Sequence, residues 1–362
     1  MRKVAIVGAG VGGLVTAIAL ARRNIECAVY ERHQRRPGDG AGLQLSPNAT
    51  AVLHDLGVVL PDAVRPVGRE LRRWRDDTVI GRTDLGGYGA PYLTVRRGSL
   101  IRALHDATGP GVVRSGRRCT AAGADGVLTF ADGSTIRADA VVGADGLRSV
   151  VRAAVTPDRP EPSGWVAFRA VLPAAVARPF VVTDRVVVWL GPARHCVAYP
   201  IDGGRSVNLV VVAPAPAEPA DGRPAGLTGW HPAVRGLIDA AARFDRRELV
   251  EGTGGGRWHR GRVVLIGDAA HAMLPFAAQG AAQAIEDAVT LAGCAGHADP
   301  FTTFDRVRRE RVTRVVEASR AGLAGHHLPD GAEQRRRDRA IARTPPAALD
   351  WLYRHRAVAV SC

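Results

Sequence analysis

Three groups of residues in this 362-residue chain have the type and spacing to do chemistry. The first is Gly8-Ala9-Gly10-Val11-Gly12-Gly13, which follows a short β-branched apolar run at 4–7 and precedes a helical stretch at 14–23. A second apolar run at 27–30 closes on Glu31, 18 residues after Gly13, with Arg32 beside it. Strand, glycine turn, helix and acidic strand end are together what dinucleotide binding requires. Gly8 permits the tight turn, Gly10 lets a pyrophosphate approach the backbone, and Gly13 lets the helix pack on the strand. The helix N-terminus around Val11 and Gly12 turns unpaired N–H groups toward the phosphates, and Glu31 accepts hydrogen bonds from a ribose. A glycine-rich turn in some other α/β protein is the alternative. The second group is His195 and Tyr199, spaced to share one face of a strand. An imidazole, with a reference pKa of about 6.5, can take a phenolic proton at neutral pH. The same pair also reads as a core histidine with a packing tyrosine. The third group is Asp268, at the end of an apolar run at 263–266, followed by Gln279-Gly280-Ala281-Ala282 at the start of a helix. Ligands of open α/β folds bind at such strand ends, and a helix start presents free N–H groups and the positive end of its dipole. A helix-capping role for Asp268 is equally open.

The elements that must position these residues follow from periodicity. Residues 40–46 alternate like a strand and Pro47-Asn48 opens a helix to about residue 56. Ser99 reads as the N-cap of a helix at 100–107. Residues 112–137 read as a strand and a hairpin turning at 131–134, and 140–146 as a buried strand ending in a tight turn. Residues 166–212 are rich in strand signals, 213–226 form a Pro/Ala/Gly loop, and 281–292 and 301–323 carry a helical period. The nucleotide motifs near residues 7, 145 and 267 therefore belong to one α/β unit with β-rich material inserted between them.

Composition narrows the class. Hydrophobic content of 46% suits a globular enzyme, and no apolar run approaches the roughly 20 residues of a membrane helix. The glycines at 8, 10, 12 and 13 interrupt what would otherwise pass for a signal-peptide core, so no leader is read there. Five scattered cysteines (27, 119, 196, 294, 362) lack any C-x-x-C pairing, which reads as reduced thiols, a cytoplasmic protein and no metal site. The net charge of +14 raises nucleic acid as a partner. Yet Lys3 is the only lysine, alanine, glycine and proline are abundant, and the densest basic run, Arg335-Arg336-Arg337 with Arg339, has no interleaved aromatics. A GC-rich coding bias accounts for the excess, and no nucleic-acid partner is expected.

Three motifs now stand in order: 8–13, Gly143-Ala144-Asp145-Gly146-Leu147-Arg148-Ser149-Val150-Val151-Arg152, and the segment 261–288 with Gly267-Asp268-Ala269-Ala270-His271 and Gln279-Gly280. This set resembles the single-component FAD aromatic hydroxylases of the para-hydroxybenzoate hydroxylase superfamily, with the closest likeness to the salicylate hydroxylase and 3-hydroxybenzoate 6-hydroxylase branch. Gly42-x-x-Leu45-x-Pro47-Asn48-Ala49, residues 164–169, His195-x-x-x-Tyr199-Pro200, residues 229–234 and 350–353 extend the likeness over nearly the whole chain.

The resemblance implies a Rossmann-like FAD-binding domain (1–68, 95–155 and 255–325), an inserted β-sheet substrate domain (69–94 and 156–254) and a C-terminal helical segment (326–362). It implies that Asp268 holds the FAD ribityl chain, that Arg97 contacts FAD, and that Asp145 belongs to a fingerprint serving FAD and the nicotinamide. Gly280 and Ala281 would face the flavin N1–C2=O edge and Pro275 would pack near the isoalloxazine. His195 and Tyr199 would line the substrate pocket with Gln279; Gln44 reads equally as a pocket or a surface residue. Two departures stand out: Ala277 replaces a larger apolar residue, which implies a roomier pocket, and residues 246–257 replace a more regular stretch. No second glycine fingerprint follows a strand, so NADH or NADPH lacks its own domain.

The implied activity is NAD(P)H- and O2-dependent hydroxylation of a small aromatic substrate through a flavin C4a-hydroperoxide, by a monomer or homodimer. The rival readings are epoxidation or reduction on the same fold, a tailoring oxygenase for a larger secondary metabolite, and a non-enzymatic nucleotide- or nucleic-acid-binding protein.

Overall fold

The structure, a computed structural model, describes residues 3–34, 40–215, 222–252 and 255–357. Thr253 and Gly254, within the stretch 246–257, and Cys362 lie outside the described residues, as do parts of the loops at 33–39 and 213–226.

Strand Lys3–Val7 sits in a six-stranded sheet between Ala140–Gly143 and Glu26–Glu31, parallel to both. Val113–Ser115 extends the sheet on one side and Val263–Leu265 on the other, also parallel, and His259–Arg260 closes that edge antiparallel. The apolar runs form central strands because both their faces are covered: Val4, Ile6, Val29, Val142 and Val264 pack in one cluster, and Ala5, Val7, Val141, Val263 and Leu265 in the other. Helix Val11–Ala21 begins three residues before the expected start, since Gly12 and Gly13 hide its helical period.

A seven-stranded sheet runs in the order Asp245–Glu251, Glu161–Pro173, Ser206–Pro214, Arg194–Ile201, Val186–Gly191, Gly68–Arg73, Val79–Asp84. Neighbours are antiparallel except Val186–Gly191 with Gly68–Arg73. Its period-2 alternation separates two faces. Phe168, Ala170, Cys196, Ala198, Leu209 and Val211 bury one face beneath helix Pro232–Ala240 and Trp230. The opposite face therefore carries Ala167, Arg169, His195, Val197, Tyr199, Asn208 and Val210. A two-stranded ribbon, Gly42–Leu45 with Leu93–Arg96, lies against that face: a Cβ on Gly42 would come within 2.8 Å of the Tyr199 ring.

Helix Gly280–Cys294 packs on Val11–Ala21, and the 27-residue helix Pro300–His326 packs on it in turn. No helix among the described residues is long and apolar enough to cross a membrane.

Two details differ from expectation. Helix Arg97–Ala107 starts before Ser99, whose hydroxyl accepts from Arg102 instead of capping. The expected domain boundaries at 68/69, 94/95 and 325/326 fall inside elements, namely Gly68–Arg73, Leu93–Arg96 and Pro300–His326. In helix Ala332–Ala342, Arg337 turns inward, donating to Asp338 at 2.8 Å and to the Gly325 carbonyl at 2.5 Å.

Candidate active site

The glycine turn is sterically built for a ligand. Gly8 has φ +105°, and a Cβ there would lie 2.5 Å from the Ala144 carbonyl oxygen. At Gly13 a Cβ would lie 2.0 Å from the Gly8 oxygen, and at Gly12 it would press on Ile266 and Ala284. Gly10 is different, because the nearest protein atom to its absent Cβ is 4.0 Å away. Protein packing does not require glycine at that position, whereas a pyrophosphate lying against the backbone would. Helix Val11–Ala21 has Gly10 as N-cap and no side-chain cap, so its first N–H groups are left for a ligand. Glu31 ties this turn to the adjacent strand: its carboxylate accepts from Ala9 N at 2.9 Å and His33 N at 3.0 Å, and retains lone pairs for a ribose. Arg32 leans on His33.

Asp268 opens the short helix Asp268–His271 at the C-terminal end of Val263–Leu265. Its side chain is reached by solvent although protein surrounds it closely enough to push its carboxyl pKa upward, so it stands on the floor of a cleft. Burial is the leading influence; His271, Arg152 and the exposed Arg97 pull the other way. Gly280 lies beside it, its absent Cβ 4.0 Å from Asp268 Oδ1. Helix Gly280–Cys294 begins there with no side-chain cap, leaving the N–H groups of Gly280 and Ala281 directed at the cleft. Pro275 is exposed and Ala277 half-buried in the turn Pro275–Ala277 that precedes it. Ala278 adopts φ +51° and ψ 38°, a left-handed turn that swings the chain into the helix.

Gln279 departs from its expected place. It is 1% exposed, and its side chain turns away from the cleft into a buried polar network. Its Nε2 donates to Ser46 Oγ at 2.8 Å, and its Oε1 accepts from Asn48 Nδ2 at 3.1 Å and Gln283 Nε2 at 3.2 Å. Asn48 Nδ2 also donates to Glu286 at 2.6 Å, and Arg308 and Arg311 clamp Glu286 from the long helix at 2.6 Å each. Those cations hold the Glu286 carboxyl at about 2 against the upward push of burial. Gln279 thus fixes the helix start and does not line the pocket.

Asp145 also differs. Its carboxylate accepts from Ser149 Oγ (2.5 Å), Val150 N (2.8 Å) and Val151 N (3.3 Å), which commits it to its own turn. The residue that joins this motif to the Asp268 strand end is Arg152, which reasoning from sequence gave no role of its own. It donates to the carbonyls of Asp268 (2.8 Å), Ala269 (2.9 Å) and Leu147 (3.0 Å).

Across the cleft, His195 and Tyr199 are each 5% exposed on strand Arg194–Ile201. The Phe276 ring lies 5.5 Å from the His195 ring, which joins this sheet to the turn before Gly280. Burial, reinforced by His326 and His327, drives the His195 pKa well below its ordinary value, so the imidazole is neutral at pH 7 with a free lone pair. Burial also raises the Tyr199 pKa, keeping the hydroxyl protonated, although nearby Arg169 opposes this. Gln44 is half-buried, its carbonyl oxygen accepting from Tyr92 Oη at 2.8 Å.

Arg169 was missed. It shares the inner face with His195 and Tyr199, burial presses its pKa down, and it has no ion-pair partner among the described residues. Its signal was available in the alternation Val166, Phe168, Ala170, which points Arg169 to the other face. A surface hollow of about 450 Å³ at Val155–Asp158 and Gly255–Arg260 contains none of these groups.

Uncapped helix starts, an open Gly10, an acid with free lone pairs beside the glycine turn and a cleft-floor carboxylate fit FAD. The FAD binding domain family matches residues 1–319. The 3-amino-4-hydroxybenzoate 2-monooxygenase of Streptomyces cremeus is 40% identical over 372 residues, spanning 97% of this chain and 94% of the relative. The 3-hydroxybenzoate 6-hydroxylase of Klebsiella oxytoca is 33% identical over 383 residues, spanning 96% and 95%. Among solved structures, Klebsiella pneumoniae HpxO complexed with FAD and uric acid superposes with a TM-score of 0.86 at 25% identity, covering 96% of this chain and 95% of that one.

Proposed function

The chain belongs to the FAD binding domain family, and on that premise we propose that it hydroxylates a phenolic carboxylic acid of the aminohydroxybenzoate or hydroxybenzoate type. It is an FAD-dependent aromatic monooxygenase, with NAD(P)H and O2 as co-substrates. The observation that carries the substrate class is the shared sheet face of His195, Tyr199 and Arg169. A partly buried guanidinium that makes no ion pair among the described residues, with Asp245 acting on it only at longer range, attracts a carboxylate, and its fork can hold one through two hydrogen bonds. The neutral His195 accepts the phenolic proton, which makes the ring carbons ortho and para to the oxygen electron-rich. Tyr199, still protonated, donates to the oxygen so formed.

When bound, FAD supplies electron transfer from NAD(P)H and the activation of O2. Gly8, Gly10, Val11, Gly12, Gly13, Glu31 and Arg32 would hold its adenosine and pyrophosphate. Asp268 and Arg97 would hold the ribityl chain, and Gly280 and Ala281 the flavin carbonyl edge. Gln279 and Asp145 support these through their own networks. Pro275 and Ala277 would border the ring. The small Ala277 favours a bulkier ring, so a tailoring oxygenase for a larger metabolite is the second reading. Free thiols at Cys27, Cys119 and Cys196 and the inward Arg337 support a cytoplasmic monomer or homodimer without a nucleic-acid partner.

The test is NADH and NADPH oxidation by the FAD-loaded protein across phenolic, aminophenolic and N-heteroaromatic acids, with peroxide measured in parallel. A hydroxybenzoate-type acid that accelerates oxidation with little peroxide supports the proposal. Acceleration wholly accounted for by peroxide, or none at all, sinks it and moves the larger-ring reading forward.

A further inference from the structure

The long helix Pro300–His326 ends at the inner face of the seven-stranded sheet, and the two residues at its end are histidines. His327 is held on three sides. Its carbonyl accepts from Ala193 N at 3.0 Å, its ring stacks on Trp165 at 4.1 Å and 17°, and its Nδ1 lies 2.8 Å from the Leu323 carbonyl oxygen. Its other nitrogen, Nε2, lies 2.8 Å from His195 Nδ1.

These contacts determine where the protons are. A carbonyl oxygen can only accept, so His327 Nδ1 must carry its hydrogen. Burial holds His327 at about 4, so at neutral pH it is uncharged and its Nε2 has only a lone pair. The hydrogen between the two rings then resides on His195 Nδ1. His195, also neutral, is left with its lone pair on Nε2, which has no hydrogen-bond partner among the described residues.

We propose that His327 is a positioning residue that fixes the tautomer and ring orientation of His195, so that Nε2 is presented to the substrate's phenolic proton. The chain Leu323 C=O, His327, His195 does with a carbonyl and a neutral imidazole what a carboxylate does for other catalytic histidines. On accepting the phenolic proton, His195 becomes an imidazolium whose Nδ1–H bond to His327 strengthens. The proton leaves the phenol oxygen for His195 Nε2, and the O–H electron pair stays on the phenolate. Other titratable groups bear on this chain: His326 faces His195 and His327, while Arg337 faces His326 and His327, and Arg69 faces His326. All three histidines stay neutral at pH 7, since His326 is held at about 3. This inference rests on the reading of His195 as the base.

The test is the ionisation of a bound phenol, read by absorbance. The probe is 4-hydroxy-3-nitrobenzoate, whose phenolate absorbs visibly, bound to the FAD-loaded protein and recorded against the protein alone from pH 5 to 9. H327F keeps the ring and the stack on Trp165 but removes the acceptor. Its ionisation midpoint should rise by about one pH unit relative to wild type, as loss of a hydrogen bond to a charged group requires. Turnover of a phenolic acid that stimulates NAD(P)H oxidation should fall about 10-fold or more. H327Q, whose amide oxygen can accept from His195 Nδ1, should restore both. If H195F raises the midpoint and H327F does not, the relay is wrong and the base reading stands. If H195F leaves it unmoved, the base reading itself fails. Should H327F not fold, ring ¹⁵N shifts of ¹⁵N-histidine-labelled wild type decide. A His195 signal protonated on Nδ1 and bare on Nε2 supports the relay, and the opposite tautomer overturns it.

Discussion

Arg152 Nη2 lies 2.8 Å from the main-chain oxygen of Asp268, 116 positions along the chain, so the second and third nucleotide motifs are one mechanical unit. Arg152 is 8% exposed and its three hydrogen bonds all go to carbonyls that shape the cleft floor. Arg152→Met keeps the apolar stem and removes the donors, leaving three carbonyls unsatisfied. FAD affinity should fall about 10- to 100-fold, the equivalent of one or two charge-assisted hydrogen bonds. Titration of the apoprotein with FAD measures it, and unchanged affinity would show that Asp268 is held by other means.

The glycines separate folding from binding. Gly13→Ala forces a Cβ to 2.0 Å from the Gly8 oxygen, so the turn must break and the protein should not accumulate folded. Gly10→Ala meets no protein atom nearer than 4.0 Å. Its melting temperature as apoprotein should match wild type within a few degrees, while FAD content after purification should drop sharply. A Gly10→Ala protein with full FAD occupancy would mean that the pyrophosphate lies elsewhere.

Arg308 is 1% exposed between Glu286 and Asp287, with contacts of 2.6 and 2.8 Å. Arg308→Met leaves two buried carboxylates short of their main cation and should cost about 3–5 kcal/mol in urea unfolding at pH 7. Both carboxyls have folded-state pKa values depressed below the unfolded ones, Glu286 to about 2. Their contribution is therefore complete above about pH 5 and is lost as pH falls through about 4 toward 2. His326 and His327, held near 3 and 4, act in the same direction, because the unfolded histidines bind protons once pH drops below about 6.5. Wild-type stability should decline steadily from pH 6.5 downward, and Arg308→Met should show a shallower decline below pH 5. A loss under 1 kcal/mol at pH 7 would contradict the clamp.

Arg169→Met should raise KM for a phenolic acid about 10- to 100-fold and leave KM for the matching phenol without a carboxylate nearly unchanged. Steady-state kinetics on such a pair decides. An equal rise for both compounds would make Arg169 a packing residue and leave the substrate's anion unassigned.

Much of the fold is legible locally because strand burial and helix amphipathicity repeat within a few residues. The central parallel strands announce themselves as β-branched runs, and the need for glycine at Gly8 and Gly13 follows from the turn between strand and helix. Legibility ends where a side chain's partner is remote. Gln279 reads as a pocket residue because it stands before the helix, yet Ser46 and Asn48, more than 230 positions earlier, draw it inward. Asp145 reads as a cofactor ligand, yet the amides at 150 and 151 engage it first.

The sequence by itself determined that a dinucleotide turn, a parallel nucleotide sheet and an inserted second β-sheet would form, since the turn and the individual strands and helices depend on near neighbours and on the period of apolar residues. Only the tertiary structure decided which polar groups face the cleft and which are spent on one another. A buried polar atom must find a partner, and the fold, not chain position, sets which partner lies within about 3 Å. That rule puts His327 on His195, leaves Arg169 without an ion pair among the described residues, and takes Gln279 out of the pocket.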